Sequence, residues 1–241
     1  MERILSFMLT LMLTLTLIAC SRGQQIPPER TIAEYYEIAY RHLERRNFRM
    51  ASEEFLNIER NHPASPWAAD ALIMAAYSSF RARDFAGTIT ITDRFMRFHP
   101  GHADVPYVLY LRGMSFYRQV SDVRREQGMS FMALQTFQQL TTRFPDTEFA
   151  ENAQNKIIIL KNYIAGKTLH TARRDMQRQN WPAAINNLQS IVTQMQETQM
   201  TEEALFRLTE SFRAIGLESH AAGYAEMLRL NFPYGDWTRR L

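Results

Sequence analysis

From Arg30 onward apolar residues recur at intervals of three and four, the period of helices that bury one face. One short alternating run, Thr88 to Thr92, is the exception, and the chain as a whole reads as all-α. Four prolines each close an apolar helical segment in similar surroundings: Asn61-His62-Pro63, Phe98-His99-Pro100, Arg143-Phe144-Pro145 and Asn231-Phe232-Pro233. Twelve residues before these prolines stand Ala51, Thr88, Ala133 and Ala221, and eight before stand Phe55, Thr92, Phe137 and Ala225. Five before stand Ile58, Phe95, Leu140 and Leu228.

This resembles the tetratricopeptide (TPR) pattern, a helix-turn-helix of about 34 residues with a small residue opening the second helix and a proline closing it. Two antiparallel helices approach closely only where side chains are small, and proline stops the second before the next hairpin begins. The interval from Pro100 to Pro145 is longer than the one before it, and the excess falls in the charged stretch Val120 to Gln127. Asn180-Trp181-Pro182-Ala183-Ala184 opens the second helix of a fourth hairpin, with Leu188 and Ile191 at the expected offsets but Gln196 where its proline should stand. The stretch Glu148 to Arg178 predicts an unusually long first helix, with Gly166 a point of interruption. A fifth hairpin runs through Leu205, Leu208 and Phe212 and then Ala221 to Pro233. The expectation is an α-α superhelix of about five hairpins over residues 30–241.

The start of the chain is different. After Met1-Glu2-Arg3 an uncharged apolar stretch runs from Ile4 to Ser21, a short n-region and an h-region. Its end, Leu17-Ile18-Ala19-Cys20, resembles a bacterial lipobox, so residues 1–19 read as a signal peptide and Cys20 as the acylated residue; a retained signal anchor is the alternative. The resemblance implies an S-diacylglyceryl and an N-palmitoyl group on Cys20, and three acyl chains anchor a protein stably where one does not. Ser21 lacks the acidic side chain that marks inner-membrane retention in such lipoproteins, which favours the outer membrane. Residues 20–29 read as the lipidated terminus and a tether.

Composition narrows the chemistry. Apolar residues make up 46% and charged residues 22% of the 241, ordinary values for a folded chain. The net charge is only +3, and of the 28 basic residues all but Lys156, Lys161 and Lys167 are arginine. With Cys20 the one cysteine, no internal disulfide, thiolate metal site or thiol nucleophile can be built. No Gly-x-Gly, Gly-x-Ser-x-Gly or His-Glu-x-x-His occurs, and Gly166-Lys167-Thr168 lacks the first glycine and the preceding strand of a P-loop. His99 and His102 flank a Pro-Gly turn with only Asp104 nearby in sequence, which reads as a surface turn and no metal site. Neither a cofactor, an enzyme activity nor nucleic-acid binding is expected.

In a TPR superhelix the first helix of each hairpin lines the concave face. The corresponding positions here hold Tyr36, Tyr40 and Leu43, then Ile73, Tyr77 and Phe80, then Tyr110, Met114 and Tyr117, with Tyr107 one turn earlier. Tyrosine combines large apolar area with a hydroxyl and little rotamer entropy, which suits a groove for a peptide. Arg81 and Arg118 at the rim could pair with a carboxylate. Packing of these rings into the inter-repeat core is the competing reading. The same positions later read Leu169, Arg173 and Met176, then Phe206, Glu210 and Arg213, so Arg173, Glu210 and Arg213 are candidates for docking a folded partner, against a solvated face as the alternative.

The lipobox, the five hairpins and several phrases together resemble the BamD family, lipoproteins of the outer-membrane β-barrel assembly (Bam) machinery. The phrases are Asn47-Phe48-Arg49-Met50-Ala51, Asp93 through Pro100, Tyr107 through Gly113, Arg143 through Phe149 and the long helix through Leu160-Lys161. Arg124-Arg125-Glu126-Gln127 stands where the family often has Asp-Arg-Asp. The resemblance implies a non-enzymatic scaffold, lipid-anchored in the inner leaflet of the outer membrane of a Gram-negative bacterium and facing the periplasm. Its N-terminal hairpins would meet unfolded outer-membrane β-barrel substrates and its C-terminal hairpins a POTRA domain of a BamA-like barrel protein, with other Bam lipoproteins as further partners. A TPR coordinator of envelope division or peptidoglycan synthesis is the alternative function.

Overall fold

The computed structural model describes residues 30–120 and 128–241. The signal peptide, Cys20, the tether and all but Val120 of the charged stretch lie outside the described residues. Among them the chain forms ten α-helices: α1 (Ile32–Glu44), α2 (Phe48–Asn61), α3 (Ala68–Arg81), α4 (Phe85–Phe98), α5 (Val105–Tyr117), α6 (Gly128–Arg143), α7 (Glu148–Gln177), α8 (Trp181–Gln194), α9 (Thr201–Ala214) and α10 (Glu218–Asn231). A short 3-10 turn, Thr238–Arg240, follows. Each helix packs on the next, so the odd-numbered helices open hairpins and the even-numbered ones close them. The expected all-α superhelix of five hairpins is the fold observed, and the alternating run Thr88 to Thr92 lies inside α4.

The three columns read before the prolines form the spine. Ala51, Thr88, Ala133 and Ala221 are each wholly buried, as is Ala184 in the fourth hairpin. Phe55, Phe137, Ile58, Phe95, Leu140 and Leu228 are likewise without exposure, and each such side chain contributes about 1.5–3 kcal/mol relative to an exposed one. The helices end two residues before the prolines. His62, His99 and Phe232 hold φ near −130° with ψ of 50° to 58°, away from the α region that the following proline ring forbids. Met195 takes a similar conformation, φ −137° and ψ 33°, so the fourth hairpin closes in the same way with Gln196 in the proline's place.

Local chemistry fixes the other ends. Thr31 and Glu34 form a reciprocal capping box on α1, Asp84 accepts from the Gly87 N–H on α4, and Thr147 accepts from the Ala150 N–H on α7. The turns inside the first, second, fourth and fifth hairpins each pass through a left-handed residue, Arg46 (φ 56°), Arg83 (φ 62°), Gln179 (φ 57°) and Gly216 (φ 74°). Gly113 answers a different need: a Cβ there would lie 2.5 Å from the Phe137 ring, so glycine is what lets α5 and α6 cross. Beside it Arg112 bonds Asp93 at 2.6 Å and the Thr136 hydroxyl at 2.9 Å, pinning α5 to α4 and α6. The expected break at Gly166 does not occur. α7 runs 30 residues without interruption, about 45 Å, because its two ends are held by different neighbours, α6 and α8.

Candidate functional site

The tyrosines read as a groove are all partly exposed and fall into linked ring clusters. Tyr36 stacks on Tyr40 at 6.1 Å and meets the edges of Phe55 (5.5 Å) and Trp67 (5.9 Å). Tyr40 is 49% exposed and Trp67 55%. Arg81 donates to the Tyr77 hydroxyl and lies 4.6 Å over the Phe48 ring, so this rim guanidinium is held between α3 and α2. Tyr107 and Tyr110 close on Phe149 of α7 at 5.3 and 5.7 Å. Tyr117 receives the Lys156 ammonium over its ring at 5.6 Å. Phe80 packs on Phe85 at 5.6 Å, across the turn of its own hairpin. Arg118 caps α5 and is exposed, with no ring or ion pair recorded among the described residues.

Tyr36, Tyr110 and Tyr117 pack against the core while part of their surface stays open. The electrostatics follow from that half-burial. Burial pushes the Tyr36 hydroxyl up to about 12, helped by the Asp70 carboxylate and Tyr40. Burial does the same for Tyr107, also to about 12, with Tyr77 adding to the rise and Arg81 opposing it. Both hydroxyls stay protonated donors across any ordinary pH.

Four residues that meet these side chains were not legible from the repeat register: Trp67, Phe48, Phe149 and Lys156. Trp67 precedes α3, and the others belong to α2 and α7; only the packing of neighbouring helices brings them to the tyrosines. A second unforeseen approach involves the His99–His102 turn. Asp70 of α3 comes within 3.9 Å of His102 Nε2 while Asp104 lies 3.5 Å from Nδ1, and one donor atom from each of the three residues falls within 4.8 Å of the others. The two ring nitrogens face different carboxylates, and Nδ1 accepts the Asp104 N–H at 3.2 Å. These contacts close the turn and tie it to α3.

The fourth and fifth hairpins are built otherwise. Arg173, read as a docking residue, donates through Nε to Glu203 at 2.7 Å and through its second nitrogen to the other oxygen, and Arg207 bonds the same carboxylate. Burial pushes the Glu203 carboxyl up, but the two guanidinium partners outweigh it and hold it below the ordinary glutamate value. Glu210 lies 3.8 Å from Arg207, and Arg213 is exposed at the end of α9. Phe206 is covered by the chain's own C-terminal segment: Trp237 packs on it at 5.1 Å, between the guanidinium of Arg207 at 5.3 Å and that of Arg240 at 4.4 Å. The Trp237 N–H donates to Glu202 at 2.7 Å. A Cβ on Gly235 would collide with the same carboxylate, so the tail lies directly on α9. No helix among the described residues is long and apolar enough to cross a membrane.

Comparison with known proteins places this architecture. A family model described as YfiO, outer membrane lipoprotein, matches residues 28–228. The outer membrane protein assembly factor BamD of Rickettsia prowazekii is 32% identical over 86% of this chain and 82% of its own length. That of Caulobacter vibrioides is 32% identical over 87% of this chain and 68% of its own, and that of Neisseria meningitidis serogroup A 28% identical over 94% and 91%. A solved structure, that of Pseudomonas aeruginosa pilF, aligns with TM-score 0.36 at 15% identity over 86% of this chain and 95% of that one. By the extent of the family match and by relatives above 30% identity along most of their length, the chain belongs to the BamD (YfiO) family of outer membrane lipoproteins.

Proposed function

We propose that this protein is a non-enzymatic assembly factor for outer-membrane β-barrel proteins, working within a Bam complex. The observation that carries the reading is the match of nearly the whole superhelix to relatives named outer membrane protein assembly factor BamD, which favours assembly over coordination of division or peptidoglycan synthesis. Cys20 carries the acyl anchor, and the superhelix faces the periplasm from the inner leaflet.

Within that role the first three hairpins receive unfolded barrel segments and the last two dock a POTRA domain of a BamA-like protein, with other Bam lipoproteins alongside. Tyr36, Tyr40, Tyr77, Phe80, Tyr107, Tyr110 and Tyr117 form the apolar wall, each ring giving area and a hydroxyl while losing few rotamers. Arg81 and Arg118 supply positive charge at the rim. Support for the groove comes from the partial exposure of every one of these rings and from the upward-shifted hydroxyls of Tyr36 and Tyr107, which remain donors. Arg213 and Glu210 stay available for docking, while Arg173 shapes the surface through Glu203.

The test is a triple substitution, Tyr36→Ala with Tyr77→Ala and Tyr110→Ala, read by the affinity for the C-terminal segment of a barrel protein. Losing three partly open aromatic anchors is expected to weaken binding by at least about tenfold, with helical circular dichroism retained. Unchanged affinity would remove the groove from the proposal. Detergent extraction of the outer membrane, with identification of what co-purifies, tests the wider role: a large barrel protein with POTRA domains is the expected partner.

A further inference from the structure

The two edges of the first three hairpins differ in charge. Because α1 to α6 alternate in direction and are of similar length, the turns inside these hairpins lie along one edge and the connections that follow them along the other. α7 is about twice as long and carries the later hairpins out of that register, since Glu197 and Gln199 after α8 meet Lys161 and Asn162 at the middle of α7. The described turns inside the first three hairpins, residues 45–47, 82–84 and 118–120, carry four arginines (Arg45, Arg46, Arg83 and Arg118) and one acid, Asp84. The connections along the other edge, residues 62–67, 99–104 and 144–147, carry no lysine or arginine and two acids, Asp104 and Asp146. Arg60, Arg97 and Arg143 approach that second edge from the last turns of α2, α4 and α6, where these acids together with Asp70 and Glu148 leave it close to neutral.

Folding accounts for only part of this. A cation at a helix C-terminus complements the helix dipole, which accounts for Arg45 and Arg118 as C-caps. Arg46 and Arg83 stand at left-handed positions, where glycine costs least, as Gly216 does in the fifth hairpin. All four arginines are exposed, and none enters an ion pair among the described residues, whereas Arg94, Arg112, Arg173 and Arg207 on the body of the superhelix are paired. Four unpaired guanidinium groups spread along one edge are a site for a surface of fixed negative charge.

We infer that the edge formed by the turns within the first three hairpins lies against an anionic lipid surface, and that the opposite edge points away from it. The inference rests on membership of an outer-membrane lipoprotein family, which puts a bilayer beside the chain, and does not depend on the barrel-assembly role. A guanidinium within a Debye length of an anionic leaflet, about 8 Å at physiological salt, adds roughly fivefold to the affinity for that leaflet. Several on one edge orient the superhelix where an acyl anchor only tethers it.

The experiment places an environment-sensitive fluorophore on the full chain at Ala86→Cys, beside the second turn on the basic edge, or at Ala64→Cys on the other edge; both alanines are exposed. Cys20 is blocked by its acyl groups or, in a chain without them, replaced by serine. The chain is reconstituted into phosphatidylethanolamine vesicles with or without about one quarter phosphatidylglycerol. Emission at position 86 is expected to shift to the blue and roughly double with phosphatidylglycerol, and to fall back at about 0.5 M NaCl, while position 64 stays constant. Combining Arg45→Gln, Arg46→Gln, Arg83→Gln and Arg118→Gln should abolish the response with circular dichroism unchanged. An equal response at both positions, no dependence on phosphatidylglycerol, or a full response in the fourfold variant overturns the inference. If position 86 ignores phosphatidylglycerol while the fourfold variant loses a co-purifying acidic protein, the edge belongs to that protein and the lipid assignment falls.

Discussion

The first three hairpins and the last two are made on one pattern and spend their inner-helix positions differently. In α1, α3 and α5 those positions hold rings that rest on the core with part of each face uncovered. In α7 and α9 half of them hold charges, and the chain answers part of this surface from within: Glu203 collects Arg173 and Arg207, and Trp237 returns from the C-terminal segment to cover Phe206. The backbone does not distinguish the halves, since Ala133 and Ala221 are equally buried and the second helices end alike. A repeat therefore sets where a side chain points, and residue type decides whether that place stays open or is filled by the chain itself.

The most severe way to break the comparison is Ala133→Arg. It forces a long charged chain into a wholly buried position on α6, the last helix of the first half. A loss of about 3 kcal/mol or more is expected. Because repeat stability is close to a sum of neighbouring interfaces, hydrogen exchange should show α5 to α7 opening first while α9 and α10 keep their protection. Uniform loss across the chain would mean that the halves fold as one unit.

Trp237→Ala tests how far the second half is closed by its own tail. It removes a ring packed on Phe206 and between two guanidinium groups, for an expected cost of about 2 kcal/mol by urea unfolding. Affinity of the first-half groove for a barrel peptide should not change. If it falls, the two surfaces are coupled.

Glu203→Gln sharpens the same point at smaller scale, with an expected loss of about 1–2 kcal/mol. Its carboxyl sits below the ordinary glutamate value in the folded chain. The contribution is therefore present above the unfolded value near 4.5 and lost as pH falls through the lower folded value. An acid titration of stability should be flatter in the variant than in the parent. The first half responds at the other end of the scale. Tyr36 and Tyr107 are raised from 10.0 to about 12, so their stabilisation is complete below pH 10 and is lost between there and about 12. Phenolate absorbance should show a step near pH 12, and in Tyr36→Phe with Tyr107→Phe that step should vanish.

The partial exposure of the first-helix rings was legible because repeat register and residue type agree: Tyr36, Tyr77, Tyr107 and Tyr110 are found partly open, as positions on first helices should be. Arg173 shows the limit of the same reasoning. Its guanidinium is engaged by a glutamate 30 residues away, a partner that periodicity does not name. Gly166 was misjudged because a lone glycine costs only about 1 kcal/mol in a helix, less than the packing of α6 and α8 on the two ends of α7 returns.

What the sequence determined by itself is everything that depends on short-range stereochemistry. Proline excludes the preceding residue from the helix, small residues permit close crossing, and apolar period sets the buried face, so hairpin number and order follow from neighbours in the chain. What the tertiary structure alone decided depends on residues far apart meeting. Phe149 and Lys156 reach Tyr110 and Tyr117, Asp70 meets His102, the tail settles on α9, and the arginines of separate turns line one edge. Each needs the angle between successive helices, which is set by the packing of whole faces and is written in no single residue.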